Sequence, residues 1–232
     1  MKRSTATALL GLVALAFSLD GFGPAADRER SARTALQAFN GYIGSWSADG
    51  KAEKNKEAWT ENVEWGWRFK GDECWLTFKT KGGKHIRSGE LRWLPDKDLF
   101  QFAAIDTKDE KLVFEGKIEK ESLTLHRVDP KTKEQQRLVM FNTGDGVLFN
   151  YRFSHAPEGG KNFIKDYEVR AMSESDASVF RKRAVCIVSG GLGRMTLTYK
   201  GNTYYVCCSG CRDAFNEQPE KYIRAWDAKQ KK

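Results

Sequence analysis

Between Trp46 and about Met172, apolar residues return at every second position, and this period limits the fold more than any other feature. Val63, Trp65, Trp67 and Phe69 alternate with Glu64, Gly66, Arg68 and Lys70. Cys74, Leu76 and Phe78 repeat the pattern, as do Phe100, Phe102 and Ala104, and then Val147, Phe149, Tyr151 and Phe153. Alternate side chains of a strand face the same way, so each run offers one apolar face and one polar face. Polar turn sequences separate the runs: KGDE, TKGGK, PDKD, DTKDE, DPKTKEQ, NTGDG and APEGGK. Eight to ten short antiparallel strands at this spacing build a sandwich or a barrel, and the many hairpin turns favour an up-and-down barrel. A helical pattern precedes them, with Ala35, Leu36 and Phe39 on one face and Asn40-Gly41 as its stop.

Six of the seven tryptophans, at 46, 59, 65, 67, 75 and 93, belong to this region. They either line a ligand cavity or fill a small barrel, and filling is the preferred reading. The short helix leading into Gly44-Ser45-Trp46 and then into meandering strands resembles the calycin group of lipocalin-like barrels. That resemblance implies a tryptophan plugging the closed end, with a small hydrophobic ligand as a possible occupant of the open end.

The N-terminus reads as a secretory signal. Lys2 and Arg3 precede the apolar run ATALLGLVALAFSL, and small residues follow in DGFGPAAD. Export to the periplasm or the extracellular space is therefore expected, without a membrane span in the mature protein.

After the polar stretch AMSESDASVFRKR the texture changes. Cys186 is followed after twenty residues by Cys207 and Cys208, and then by Cys211. MTLTYKGNTYYV reads as two short strands joined at Gly201-Asn202. Ser209 is placed to cap a short helix carrying Arg212 to Phe215. Pro219 suits the first turn of another helix with Tyr222, Ile223 and Trp226 on one face. The hairpin returns Cys186 towards Cys207, and the helix start turns Cys211 to the same point. A module this small has little core, and a metal ion is one usual remedy.

C-x20-C-x3-C, the VSGG after the first cysteine and YKGNTYYVCCSGCRDAFNEQPEKYI resemble the YHS domains, within the wider TRASH group of treble-clef-like metal knuckles. The resemblance runs from Ala184 to Ile223. It implies Cys186, Cys207 and Cys211 as metal ligands, with Tyr199, Gly201, Tyr204, Tyr205, Phe215, Pro219 and Tyr222 in structural positions. It also implies a role in heavy-metal handling. Related zinc knuckles carry one more cysteine where this chain has Arg183, so the fourth ligand is Cys208, water or nothing. One ion, zinc or Cu(I), is expected: thiolate softness favours copper and abundance favours zinc. In an exported chain the alternatives are a disulfide from Cys186 to Cys207 or Cys211, and a redox-active thiol. Cys74, on the apolar face of a strand, reads as a buried free thiol.

The net charge is +8, and from Arg181 to Lys232 there are eleven Lys or Arg against four Asp or Glu. The basicity thus belongs to the tail, which reads as a solvated face; nucleic acid is not an expected partner of an exported protein. His126 is expected in solvent, and His155 at a strand end, with a ligand role as its lesser reading. No serine or cysteine has a recognisable histidine and acid partner, and SGGLGR precedes a strand rather than the helix of a phosphate loop. Catalysis is not expected.

The chain so read is mainly β. It has a signal segment at 1–26, a lipocalin-like up-and-down β-barrel with its leading helix at 27–173, a linker at 174–183 and an α+β metal knuckle with a basic tail at 184–232. The expected function is metal buffering, delivery or sensing, with a metal-handling protein as possible partner. The alternative is a carrier of a small hydrophobic ligand whose cysteine module is purely structural.

Overall fold

The computed structural model describes residues 32–143, 148–173 and 184–230. The expected signal segment 1–26, the linker 174–183 with Arg183, and positions 144–147 of the NTGDG turn, including Val147, lie outside the described residues.

The period-two region forms ten strands. They are β1 (Gly44–Ala52), β2 (Ala58–Lys70), β3 (Glu73–Lys81), β4 (Ile86–Leu94), β5 (Leu99–Asp106) and β6 (Lys111–Glu119). β7 (Ser122–Val128), β8 (Gln135–Thr143), β9 (Leu148–Ala156) and β10 (Ile164–Ser173) complete the set. Each pairs antiparallel with its sequence neighbour, and β10 returns to pair with β1, closing the expected up-and-down barrel. Closure satisfies the ladder hydrogen bonds that an open sheet would leave at its two edges.

The register follows the apolar alternation. Trp65 lies opposite Phe78 and Trp67 opposite Leu76 across β2 and β3, so all four share the inward face. Trp46, Trp65, Phe78, Phe102 and Phe149 are fully buried. Trp65 meets Phe78 at 5.0 Å and Phe149 at 5.9 Å between ring centroids. Rings of this size occupy the barrel interior, in line with the filling reading. Trp75 alternates outward, where the Arg92 guanidinium covers it at 4.1 Å. Cys74 is buried on the inward face.

A carboxyl group enters this core. Glu61 is 2% exposed and accepts hydrogen bonds from the Tyr151 hydroxyl at 2.6 Å and the Trp59 indole at 2.8 Å. Burial raises its pKa above the ordinary carboxylate value, although both donors oppose that shift.

One rim of the barrel is closed by the segment before β1. A helical turn α1 (32–36) tightens into a 3-10 helix, Gln37–Tyr42, so the helix runs through Asn40-Gly41 instead of stopping there. Leu36, Phe39 and Tyr42 are buried on it. The Tyr42 hydroxyl donates to the Met140 carbonyl at 2.9 Å, and the Trp46 indole donates to the Tyr42 carbonyl at 2.8 Å. These anchors place Trp46 at the closed rim.

The C-terminal segment holds the hairpin β11 (Met195–Tyr199) and β12 (Asn202–Val206), then α2 (Ser209–Glu217) and α3 (Pro219–Gln230). The two-residue turn is Lys200-Gly201, one position earlier than expected. Both have positive φ, 48° and 78°, the pair of left-handed conformations that a type I′ turn needs. Pro219 opens α3 as expected, and Tyr222 is buried. Among the described residues no helix is long and apolar enough to cross a membrane.

Candidate metal centre

Three short structures carry the cysteines. The segment before the hairpin folds back on itself: Val185 bridges Leu192, Cys186 N–H donates to the Gly191 carbonyl at 2.7 Å, and Gly190 N–H donates to Cys186 O at 2.9 Å. The Ile187 N–H donates to the Tyr205 carbonyl at 2.9 Å and lays this turn beside β12. Cys207 follows the last residue of β12, and Cys211 sits in the first turn of α2. Phe215 braces that helix against the hairpin, with Tyr204 at 5.3 Å and Tyr199 at 5.9 Å.

The sulfurs of Cys186, Cys207 and Cys211 all lie within 4.8 Å of one another. Cys207 and Cys211 are 3.5 Å apart, and all five cysteines of the chain are free thiols. Tetrahedral Zn–S bonds of about 2.3 Å set sulfur atoms about 3.8 Å apart, so the spacing suits a shared ion. All three residues are nearly or fully buried, at 1%, 4% and 0% exposure.

Charge supports the same fit. Hydrogen bonds from Cys207 and Cys211, joined by Ser189, hold the Cys186 thiol well below its ordinary pKa. The bond with Cys186 raises Cys207, and burial raises Cys211. The thiols are thus linked by their shared hydrogen bonds, so that ionising one is opposed by ionising its neighbours.

Cys208 occupies a different environment. Its sulfur accepts the Trp67 backbone N–H at 3.3 Å and lies 3.9 Å from the Cys207 sulfur, and the residue is only partly buried. Hydrogen bonding to Cys207, followed by Cys211, lowers its pKa. Ser209 is not the helix cap that the sequence suggested. α2 already begins at Ser209, Cys208 takes the N-cap position without a side-chain cap bond, and its sulfur is directed to the barrel instead.

The barrel supplies the reason for that contact. β1 pairs with β2 only as far as Gly44 opposite Trp65, so the Trp67 backbone faces no strand on that side. The start of α2 covers this exposed edge. Gly210 packs so closely that a Cβ there would lie 1.7 Å from the Trp67 carbonyl oxygen. A second seam joins the Cys186 turn to the leading helix: Arg33 donates to the Val188 carbonyl, and Gln37 and Asn40 donate to the Ser189 carbonyl. Sequence reasoning did not single out Arg33 or Gln37, and it read Asn40 only as part of a helix stop and Ser189 only as one letter of VSGG. Only the VSGG motif marked the turn they hold.

The histidines lie elsewhere. His126 is exposed as expected. His155 Nδ1 is 2.8 Å from both carboxylate oxygens of Asp166. His85 stacks on Tyr167 at 3.9 Å, and burial lowers its pKa.

A turn, a strand end and a helix start thus gather a buried trio of free thiols into a candidate thiolate metal site. Residues 194–226 match the YHS domain family. The match takes in Cys207, Cys208 and Cys211 but begins after Cys186, which joins the site through the fold. Among solved structures, the chain is similar to the one titled "Crystal Structure of Rv2717c from M. tuberculosis", with 16% identity and a TM-score of 0.41. That similarity covers 60% of this chain and 97% of the other. Comparison with curated proteins found no match.

Proposed function

We propose that this chain is an exported binding protein, not an enzyme, that holds a thiophilic ion, zinc or Cu(I), through Cys186, Cys207 and Cys211. Its role is metal buffering, delivery or sensing outside the cytoplasm, with a metal-handling protein as partner. The observation that carries this reading is the convergence of three buried free thiols within 4.8 Å. The YHS match supports it. Three thiolates leave either a trigonal site suited to Cu(I) or a tetrahedral zinc site with one exchangeable position. When bound, the ion supplies the positive charge that lets all three thiols ionise together. Cys208, half-buried at the barrel edge, is the nearest further sulfur. The aromatic filling of the barrel argues against the carrier alternative, in which the cysteine module is only structural.

Elemental analysis of the full chain purified without added metal tests the reading. The expected result is close to one equivalent of zinc or copper, with most of it lost in Cys186→Ser and in Cys211→Ser. A metal-free protein that takes up neither ion under reducing conditions would overturn it.

A further inference from the structure

The Cys186 turn is held from outside its own module. Ser189 is fully buried and touches two of the three sulfurs: its N–H donates to the Cys186 sulfur at 3.4 Å, and its hydroxyl lies 3.3 Å from the Cys207 sulfur. The Gly191 N–H donates to the same hydroxyl at 3.3 Å, which limits its rotation. On the other side of this residue, the Ser189 carbonyl receives two carboxamide donors from the barrel's leading helix, Gln37 Nε2 at 2.8 Å and Asn40 Nδ2 at 3.2 Å. Asn40 is fixed in turn, because its Oδ1 accepts the buried Trp67 indole N–H at 3.2 Å. Gly191 leaves room for it, since a Cβ there would meet the Asn40 side chain at about the limit of contact, 3.0 Å.

We infer that Gln37 and Asn40 are positioning residues of the metal centre: gripping the Ser189 carbonyl, they fix the orientation of the N–H and hydroxyl that Ser189 presents to Cys186 and Cys207. The inference rests on the metal reading above. Its physical basis is that groups hydrogen-bonded to thiolate ligands set their orientation and basicity, and losing such a partner typically weakens metal affinity by 10–100-fold. The centre is on this account shared by the two modules. The YHS-matched segment contributes two ligands, and the helix at the barrel rim, remote in sequence, orders the third.

The test uses the full chain and Co2+ alone, whose thiolate charge-transfer absorption reports ligand geometry. Dissociation constants and spectra are measured for the wild type, Gln37→Ala, Asn40→Asp and the double variant, together with the thermal stability of each metal-free protein. Asn40→Asp keeps the acceptor for the Trp67 indole and replaces the donor to Ser189 by a carboxylate oxygen that repels its carbonyl. Each single variant is expected to bind Co2+ about tenfold more weakly, and the double variant more weakly still, with a shifted charge-transfer spectrum. Wild-type affinity and spectrum in the double variant would overturn the inference. So would a loss of affinity that merely follows metal-free stability with an unchanged spectrum. If the wild-type chain itself binds no Co2+, the underlying metal reading fails instead.

Discussion

The barrel and the cysteine knuckle solve the same problem with different means. Trp46, Trp65, Phe78, Phe102 and Phe149 give the barrel an aromatic interior that needs no partner. The knuckle has Val206, Phe215, Tyr222 and the cysteines, a core too small for comfort, and it leans on the open edge of β2 and on the leading helix. The barrel's stability therefore comes from apolar burial and the knuckle's from specific sulfur and hydrogen-bond contacts. Each should respond to a different perturbation.

The largest effect expected is from removing the proposed ion. Binding free energy at structural thiolate sites is on the order of 10 kcal/mol and is largely folding free energy. Hydrogen exchange measured before and after chelation should show β11, β12 and α2 losing protection while β2, β3 and β9 keep theirs. Equal loss in both regions would break the comparison. Trp65→Ala is the converse case. It should cost about 3–5 kcal/mol in denaturant unfolding of the barrel, through lost burial and the cavity left behind. Its metal stoichiometry should stay that of the wild type.

Gly210→Ala probes the seam between the two. Its methyl group would collide with the Trp67 carbonyl, which is backbone and cannot swing aside. A loss of about 1–3 kcal/mol is expected. Faster amide exchange at Cys208 to Cys211, and not inside the barrel, would sharpen the assignment of the cost to docking.

The smallest effect belongs to Glu61. Its pKa is raised by burial, so the folded state holds the proton more tightly than the unfolded chain. Its contribution to stability is full below the ordinary value of 4.5 and is lost as pH rises through the folded value. Glu61→Gln, which can still bond Tyr151 and Trp59, should flatten the decline of stability above pH 4.5 in a denaturant series at several pH values. An unchanged slope would show that Glu61 is not its source.

The barrel was legible because a strand's period is local. Trp65, Trp67, Leu76 and Phe78 declare their face within a few residues, and closed pairing follows from turn spacing. Cys207 and Cys211 were legible for a similar reason, since a strand end and a helix start four residues apart leave few geometries. The seam was not. Gln37 and Asn40 are ordinary helix-end polar residues, and their partner Ser189 lies about 150 positions away, where no local pattern reaches. The Lys200-Gly201 turn was missed by one residue because Gly-Asn and Lys-Gly compete for the same bend. Only the pairing of Tyr199 with Asn202 decides between them.

Barrel closure places Trp46 of the first strand opposite Ser173 of the last, so the chain enters and leaves the barrel side by side at one rim. Ten residues then connect Ser173 to Ala184. A tether that short holds the knuckle at an effective concentration on the order of millimolar next to its docking edge. Contacts too weak to join two separate molecules are thereby enough to keep the knuckle seated. A free copy of the knuckle offered in trans would have to approach the same concentration before it displaced the tethered one.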